Sequence, residues 1–165
     1  MSVEENKELV RRIEEAWNSA NLDALDDLFH PDVTSNACVP FLPPGLEGWK
    51  ISHRGMHRAV PDRKVTIEDM IAEGDKVVVR CRLTGTNLGG LPWAGAPPNA
   101  DEVDMQWITI YQIEGGKVKR CWALNDMSTL VRQIGAPTEL IARRVVRGGW
   151  PVLRDTTADL QAMQT

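Results

Sequence analysis

His53 is a side chain of this sequence that could move a proton at neutral pH. The segment EGWKISHRGMHRAV predicts a helix over residues 47–60. Helical spacing places His53 on one face with Trp49 and Met56, and that face points towards the cavity that we expect the fold to enclose. Histidine exchanges protons near pH 7 without a large change in its pKa, so His53 is a candidate catalytic acid or base. A histidine that is simply packed in the core would show the same spacing.

Asp126 is the second candidate, at the far end of the last predicted strand. If the mouth of a cavity removes its carboxyl from water, the pKa rises towards neutrality and the group can act as a general acid or base. Asn125 precedes it, and the Asn125 amide could orient a carbonyl or hydroxyl group. The alternatives are structural: Asp126 would lie at the start of the helix TLVRQIG, and Asn125 would bond to the backbone of a turn.

Metal binding is not indicated by the sequence. His53 and His57 form an HxxxH pair, but the pair lacks the glutamate of the metalloprotease motif and an obvious third ligand. The three cysteines have no CxxC spacing, so we expect reduced thiols rather than a disulfide framework or a zinc site. They are Cys38, Cys81 and Cys121. Cys38 and Cys81 could line the cavity wall, but without a neighbouring base neither is a convincing nucleophile.

Tryptophan is unusually frequent, with six residues against two phenylalanines and one tyrosine. Indole rings suit an apolar or polycyclic ligand, and the ring quadrupole can stabilise a developing cation. Ordinary core packing is the alternative for each ring. The candidates for the cavity wall are Trp17, Trp49, Trp93 and Trp107, and Trp93 lies in the loop LPWAGAPP that should border the cavity mouth.

The scaffold for these candidates is centred on residues 102–126. Alternating apolar and polar residues predict two strands, and Gly115 and Gly116 supply the positive φ of a tight hairpin turn. Period-two geometry gives the hairpin two faces. One face carries Met105, Trp107, Thr109, Cys121, Ala123 and Asn125, and the other carries Ile108, Ile110, Trp122 and Leu124. Both faces hold apolar bulk, so we expect the first to be covered by helices or a pocket and the second by more protein, with a second subunit as the candidate.

Helices are predicted before and after the strands. Residues 4–18 repeat apolar side chains with the spacing of a helix packed on a core. A short helix, LDALDDLF, follows a cap at Asn21 and is interpreted as ending at His30 and Pro31. After the strands, Ser128 is interpreted as the cap of a last helical turn.

The order of these elements predicts the fold class. Helices first and a curled antiparallel sheet afterwards indicate an α+β domain over residues 1–135, in which the sheet wraps around the helices. Residues 136–165 are predicted to form a partly helical C-terminal extension.

Composition and charge restrict the class of protein. The 165 residues are 25% charged and 42% hydrophobic, as in one soluble globular domain. A net charge of −4 argues against a nucleic-acid partner held through its phosphates. The polar N-terminus and the lack of an apolar run of ~18 residues argue against a signal peptide and a membrane span. We therefore expect a cytoplasmic protein with neither nucleic-acid nor membrane partners.

The segments resemble, in this order, the SnoaL-like polyketide cyclases, a branch of the nuclear-transport-factor-2-like superfamily of α+β cones. The resemblance covers roughly residues 5–135 and rests on LVRRIEEAWNSANLDALDDLFHPDV, GLEGWK, VPDRKVTIEDMIAEGDKVVVR, GTNLGG, IYQIEGGKVKRCW and LVRQIG. It implies one apolar pocket for a small apolar substrate, no cofactor and no metal. It also implies a homodimer through the outer sheet face, which Ile108, Ile110, Trp122 and Leu124 fit.

The resemblance also implies where the chemistry would lie. Members that close a ring by aldol condensation carry an aspartate on the last strand, and a histidine and a glutamine on the neighbouring strand. Aligned on GGKV, these positions are Ala123, Thr109 and Trp107, so the family's catalytic carboxylate is missing here. Ser35 or Asn36 occupies a polar pocket position of the family. The expected substrate-binding set is Trp17, Ser35, Trp49, Met56, Cys81, Trp93, Met105, Trp107, Thr109 and Asn125.

The expected function is that of a cofactor-independent cyclase, or a related isomerase or dehydratase. Its substrate would be a polyketide-like or other apolar carbonyl-bearing intermediate of secondary metabolism, with His53 or Asp126 moving a proton. The missing carboxylate favours one alternative, a non-catalytic small-molecule binding protein of the same fold. Another alternative is a scaffold dimer whose cavity is filled by its own side chains.

Overall fold

The structure is a computed structural model that describes residues 1–36, 42–91 and 96–135. The described helices are α1 (Val3–Asn18), α2 (Leu46–Ala59) and α3 (Met127–Gln133), with a 3₁₀ helix at Leu22–Asp27. The described strands are β1 (Phe29–Ser35), β2 (Lys64–Glu73), β3 (Lys76–Thr86), β4 (Glu102–Glu114) and β5 (Lys117–Asn125). The predicted extension over residues 136–165 lies outside the described part.

Helix α1 forms where the sequence predicts it because its start and its buried face are both well specified. Ser2 and Glu5 form a reciprocal capping box at the N-terminus, which satisfies two backbone N–H groups. The residues that α1 buries recur every three or four positions, as in a helix packed on a core. They are Asn6, Leu9, Val10, Ile13, Glu14, Ala16 and Trp17.

The five strands form one curved sheet in the order β1-β5-β4-β3-β2. Neighbouring strands from β2 to β5 are antiparallel, but β1 pairs with β5 in parallel. The prediction of an α+β cone is confirmed, whereas the expectation of a fully antiparallel sheet is wrong. Local sequence patterns could not reveal the direction of β1, because its partner is distant in the chain.

Residues His30 and Pro31 lie in β1 and do not end a helix, so that interpretation is wrong. The 3₁₀ helix stops at Asp27, and His30 Nε2 lies 3.0 Å from the carbonyl oxygen of Glu114. Pro31 is tolerated because β1 is an edge strand, and the pairing with β5 is irregular between Phe29 and Thr34. The Pro31–Asp32 pair therefore lies within an irregular edge strand, β1.

The β4–β5 hairpin has the two faces that the sequence predicts. Gly115 and Gly116 take positive φ values of 57° and 82° in the turn. The inner face buries Met105, Thr109, Tyr111 and Cys121 against the helices. The outer face exposes Leu124 by 77%, Ile108 by 42% and Trp122 by 37%, and Ile110 beside them is half-buried.

Candidate active site

The interior of the cone holds a carboxyl group from α1. Glu14 and Trp17 lie one turn apart on the buried face of this helix, and each is only 3% exposed. The surrounding positions of the stripe are apolar, so the carboxyl group of Glu14 sits where a helix normally places a hydrocarbon side chain. A charged residue buried in this way needs specific partners.

Tyr111 of β4 is the first partner of Glu14. Its hydroxyl donates a hydrogen bond of 3.0 Å to Glu14 Oε1, and the tyrosine is 2% exposed. Burial raises the pKa of Glu14 to about 7, against the opposing effects of the Tyr111 hydrogen bond and the nearby Arg63 charge. Burial, followed by the charge of Glu14, holds the pKa of Tyr111 well above its usual range. The phenol therefore stays protonated, while Glu14 gains and loses a proton near neutral pH.

Arg63 is the cation of this interior. It follows α2, is 8% exposed, and donates from Nη2 to the carbonyl oxygen of Trp17 at 2.5 Å. Burial lowers its pKa to about 10, and the charge of Glu14 partly offsets that shift. The guanidinium thus remains charged at pH 7, and its Nε atom has no hydrogen-bond partner among the described residues.

His53 of α2 points inward, as predicted, and its ring is stacked on the ring of Trp17. The two ring centroids are 3.5 Å apart and the planes are inclined by 12°, while the Trp49 ring lies 5.9 Å from the imidazole. Burial, with contributions from Arg63 and His57, lowers the pKa of His53 well below its usual range. His53 is therefore neutral at pH 7. Its Nδ1 atom is buried and has no hydrogen-bond partner in the described part of the chain, although the residue as a whole is half-buried.

His57 lies one turn after His53 and shares its surroundings. Burial and the charge of Arg63 lower the pKa of His57, against a hydrogen bond to the Trp17 backbone. Its Nε2 atom is also buried without a partner within residues 1–36, 42–91 and 96–135. The interior therefore presents two neutral imidazoles, one guanidinium and one carboxyl group.

Aromatic rings surround these polar groups. Trp17 lies 6.3 Å from Phe29 and 5.9 Å from Trp49, and Phe29 lies 5.7 Å from Trp49, all between ring centroids. Phe29 also meets Tyr111 edge-on at 6.4 Å. Trp17 and Trp49, two of the predicted wall residues, thus share one apolar enclosure with His53. Such a wall removes bulk water and strengthens electrostatic interactions inside it.

The sheet supplies the opposite wall in rows of paired residues. One row joins Cys81, Trp107 and Asn125, and the next joins Thr109 to Ala123. Cys81 and Thr109 are buried, Trp107 is half-buried and Asn125 is exposed. Thr109 therefore faces the interior beside Ala123.

Other predicted wall residues have different surroundings. Met105 is buried opposite Leu83, and Met56 is half-buried against the core. Ser35 is half-buried at the end of β1, opposite Cys121. Trp93 lies outside the described residues.

Asn36 and Cys81 are both candidates for ligand contacts, and the structure shows what surrounds each side chain. Both groups of the Asn36 amide bond to the backbone of Ala123, at 3.0 and 2.8 Å, so this side chain holds β5. Burial, followed by the charges of Glu14 and Glu68, raises the pKa of the Cys81 thiol far above its usual value. Cys81 therefore stays a thiol, which agrees with the absence of a nucleophile signal in the sequence.

Asp126 is the cap of α3, as the structural alternative predicted, and the removal from water that a raised pKa would require does not occur. Its Oδ1 accepts hydrogen bonds from the backbone N–H of Thr129 at 3.0 Å and from the hydroxyl of Ser128 at 2.9 Å. These bonds, with the carboxylate fully exposed, lower the pKa of Asp126. The helix begins at Met127, so Ser128 lies inside its first turn and is not the cap.

Glu14, Tyr111 and Arg63 are interior residues that sequence reasoning missed. Glu14 carried a usable signal, because it falls at helical spacing from the apolar residues Val10 and Trp17. Arg63 lies in a turn and Tyr111 continues a buried strand face, so neither has a local pattern that sets it apart.

An open pocket of about 340 Å³ lies near the other end of α1, away from these groups. It is lined by Met1, Asn6, Gly74, Asp75, Ile113, Gly115 and Gly116. The predicted site residues do not line this pocket, so we place the candidate site in the interior beside His53 and Glu14.

Two further properties concern the described ranges only. Within residues 1–36, 42–91 and 96–135, His, Cys, Asp and Glu side chains form no group of three or more that could hold a metal ion. Among the described helices, none has the length and apolar character needed to cross a membrane.

The curved sheet wrapped over α1 and α2, with ionisable groups enclosed between them, defines a nuclear-transport-factor-2-like α+β protein. Residues 7–134 match the model of the SnoaL-like polyketide cyclase family. The chain belongs to this family. The comparison with curated protein sequences gives no match.

Solved structures support the same assignment. TsrD from Streptomyces laurentii is 28% identical with a TM-score of 0.75, over 83% of this chain and 99% of that one. A proposed polyketide cyclase from Bacillus cereus ATCC 10987 is 26% identical with a TM-score of 0.70, over 80% of this chain and 81% of that one. AclR from Streptomyces galilaeus, a proposed hydroxylase, is 25% identical with a TM-score of 0.69, over 81% and 98%. The family and these neighbours support a cyclase-type or hydroxylase-type role.

Proposed function

We propose that this protein is a cofactor-independent cyclase, or a related isomerase or dehydratase, of secondary metabolism. Its substrate is a polyketide-like or other apolar intermediate with an acidic C–H next to a carbonyl group. The observation that carries the proposal is the neutral imidazole of His53, stacked on Trp17 with a buried Nδ1 that has no partner among the described residues. A neutral imidazole in an apolar enclosure can accept the proton of such a carbon.

The ring closure needs no redox partner. His53 takes the proton from the carbon next to the first carbonyl, and the resulting enolate carbon forms a bond to the carbon of a second carbonyl. The oxygen of that second carbonyl then receives the proton from the imidazolium, which restores neutral His53. Folding the substrate between flat walls contributes by holding the two reacting carbons together.

The sheet and the loops would orient the substrate. In this proposal Trp107 and Trp93 clamp it, and Thr109 and Asn125 bond its oxygen atoms. The buried position of Thr109 beside Ala123, and the pairing of Trp107 with Asn125, support these roles. Asp126 has no part in the proton transfer proposed here, because its carboxylate is exposed and caps α3.

We also propose that the protein is a cytoplasmic homodimer that pairs through its outer sheet face. An apolar row crosses four strands there through register pairs, and it consists of Ile71, Val78, Ile110 and Trp122. The neighbouring Ile108 and Leu124 widen it, and Leu124 is 77% exposed. An exposed apolar strip of this extent favours burial against a second copy.

A non-catalytic binding protein is the second candidate function. The feature that favours it is Ala123, which stands where the sequence resemblance implies the family's acid/base aspartate. In this case the interior would bind the same apolar carbonyl compounds without moving a proton. The two functions differ in one measurable property, which is hydrogen exchange at the carbon next to the carbonyl.

The test uses 1-tetralone, an aromatic bicyclic ketone, as a probe for proton transfer. Purified protein is incubated with 1-tetralone in D₂O, and loss of the α-proton signal is followed by ¹H NMR. We expect faster exchange than in buffer, and a loss of roughly 10²-fold or more in His53→Phe, which keeps a ring against Trp17. His30→Gln is the matched control, because His30 lies on the edge strand, and we expect it to exchange within about twofold of wild type.

The outcomes separate the two functions. If 1-tetralone quenches tryptophan fluorescence but its protons exchange no faster than in buffer, the enzyme hypothesis is rejected and the binding-protein hypothesis is supported. Exchange that His53→Phe leaves unchanged would exclude His53 as the base.

A further inference from the structure

We propose that Glu14 is a second catalytic group of this interior, and that its Oε2 atom donates a proton to the substrate's carbonyl oxygen. The inference rests on the proposed function, because it requires a carbonyl compound in the enclosure beside His53. Glu14 supplies a carboxyl group from α1 to an interior whose last strand, β5, contains no acidic residue.

The two oxygen atoms of Glu14 have different surroundings. Oε1 accepts the hydrogen bond from Tyr111, which fixes the orientation of the carboxyl group. Oε2 is buried and has no hydrogen-bond partner in the part of the chain that the structure describes. Leaving such an atom unpaired opposes folding, so its retention is explained when a ligand completes the bond.

In this proposal Glu14 and His53 act on one ligand, and their common neighbour Trp17 supports it. Glu14 lies one turn before Trp17 on the buried face of α1, and His53 is stacked on the Trp17 ring from α2. A flat ligand against this wall would therefore meet an imidazole nitrogen and a carboxyl oxygen. Both atoms are buried and lack partners among the described residues.

Glu14 is the group of this cluster whose charge changes near neutral pH. Arg63, from the turn after α2, stays charged, and Tyr111 of β4 stays protonated. Cys81 of β3 stays a thiol, and His53 and His57 of α2 stay neutral. Cys121 of β5 lies close enough to Tyr111 to influence its ionisation, and Glu68 acts on Cys81 from β2. Burial raises the pKa of Glu14 to about 7, so a large fraction of this carboxyl holds a proton at pH 7.

The resulting sequence of proton transfers is balanced. His53 takes the proton from the carbon next to the carbonyl while Glu14 gives its proton to the carbonyl oxygen, which yields a neutral enol. The enol carbon then attacks the second carbonyl, and the enol O–H proton returns to Glu14. The imidazolium proton passes to the new alkoxide, so both residues are restored and nothing is oxidised or reduced.

This arrangement defines the substrate class more narrowly. The reacting part is a neutral ketone or ester carbonyl, because the proposed step needs an acidic C–H beside a carbonyl oxygen that receives the proton of Glu14. A protonated carboxyl that donates to the carbonyl oxygen lowers the free energy of the enol relative to an unassisted enolate.

The test compares Glu14→Gln with Glu15→Gln, its exposed neighbour on the same helix, in the 1-tetralone exchange assay. We expect Glu14→Gln to slow exchange by roughly 10²-fold or more and Glu15→Gln to stay within about twofold of wild type. The wild-type rate should fall as pH rises through about 7, and Glu14→Gln should lack that decline. Tryptophan fluorescence quenching by 1-tetralone in Glu14→Gln shows that the enclosure is still formed.

Tyr111→Phe provides a second variant, which keeps the carboxyl group and removes its hydrogen bond. That hydrogen bond lowers the pKa of Glu14, so its loss should move the alkaline decline to higher pH. A decline at the wild-type position would overturn the assignment. A ¹³C NMR titration with carboxyl-labelled glutamate gives an independent readout: a resonance that titrates near pH 7 must disappear in Glu14→Gln.

Failure of the inference and failure of the proposed function look different. If wild type and Glu14→Gln exchange 1-tetralone protons at equal rates with equal pH profiles, Glu14 is not the acid and the proposed function stands. If wild type exchanges no faster than buffer, the proposed function fails and the role of Glu14 falls with it.

Discussion

Tyr111 and Glu14, 97 residues apart in the sequence, are joined by a 3.0 Å hydrogen bond inside the cone. The bond connects β4 to α1 and fixes one oxygen atom of a carboxyl group that the interior otherwise disfavours in its charged form. Both the free energy of unfolding and the proposed chemistry therefore depend on whether the Glu14 carboxyl group holds its proton.

The first prediction concerns the pH dependence of stability due to Glu14. The ordinary pKa of 4.5 applies to the unfolded chain, while the folded value is about 7, so the folded state holds the proton more tightly. The contribution of protonated Glu14 to the stability of the folded state is complete below pH 4.5 and is lost as pH rises towards 7. Glu14→Gln keeps an acceptor for Tyr111 but has no such loss, so its free energy of unfolding relative to wild type should increase by up to ~3 kcal/mol between pH 4.5 and 8.

Urea unfolding at several pH values between 4.5 and 8 measures this difference. Glu15→Gln is the control and should follow wild type throughout. A constant difference between Glu14→Gln and wild type would mean that the buried carboxyl titrates normally.

The second prediction concerns His53 and acts in the opposite pH direction. Its folded pKa lies well below the ordinary 6.5, so the unfolded chain binds a proton that the folded state rejects. Wild type should lose stability as pH falls below about 6.5, by up to ~1.4 kcal/mol per pH unit from this group. His53→Phe should lack this contribution while retaining the ring against Trp17. Unfolding curves between pH 5 and 7.5 that stay parallel for the two proteins would show that His53 is not desolvated.

The third prediction concerns the cap of α3. Asp126→Ala removes the acceptor for the Thr129 N–H and the Ser128 hydroxyl, so we expect the melting temperature to fall by on the order of a few °C. Asp126→Asn is the matched variant, because an asparagine oxygen can accept the same bonds, and it should keep most of the stability. Thermal unfolding followed by circular dichroism measures both. Equal melting temperatures for Asp126→Ala and wild type would contradict the capping role.

The fourth prediction concerns the proposed dimer. Leu124→Glu places a charge in the outer apolar strip at a side chain that is 77% exposed, so the monomer should fold normally. We expect light scattering after size exclusion to give a dimer for wild type and a monomer for Leu124→Glu. Leu88→Glu is the control, since Leu88 is 50% exposed in the segment after β3, and it should remain dimeric. A monomeric wild type at micromolar concentration would remove this proposal.

The sequence predicts the scaffold well because the scaffold depends on local patterns. Helical spacing gives α1 and α2 within a residue or two of their ends, and alternation with Gly115–Gly116 gives the β4–β5 hairpin and its faces. The direction of β1 and the protonation states of the buried groups in the site do not follow from such patterns. Both depend on contacts between distant segments.

The site shows the same division at the level of single residues. The inward direction of His53 follows from its helix face, but its depressed pKa depends first on burial and then on the charge of Arg63, which approaches from a turn. The role of Asp126 depends on where α3 begins, and a difference of one or two residues turns a candidate base into a cap. The buried position of Glu14 could be read from its helical spacing to Val10 and Trp17, but its raised pKa follows only from burial in the folded interior beside Tyr111.

Because β1 pairs with β5, the sheet cannot be completed during translation until β5 has been synthesised. Asp32 of β1 and Lys119 of β5 form an ion pair across 87 residues. At ~5–20 residues per second the ribosome needs roughly 4 to 17 seconds to make that span, during which β1 has no partner strand. We expect stalled nascent chains whose β5 is still inside the ribosome to be cut rapidly by protease, and chains whose β5 has emerged to resist. The polar interior is thus enclosed late, after both of its walls have left the ribosome.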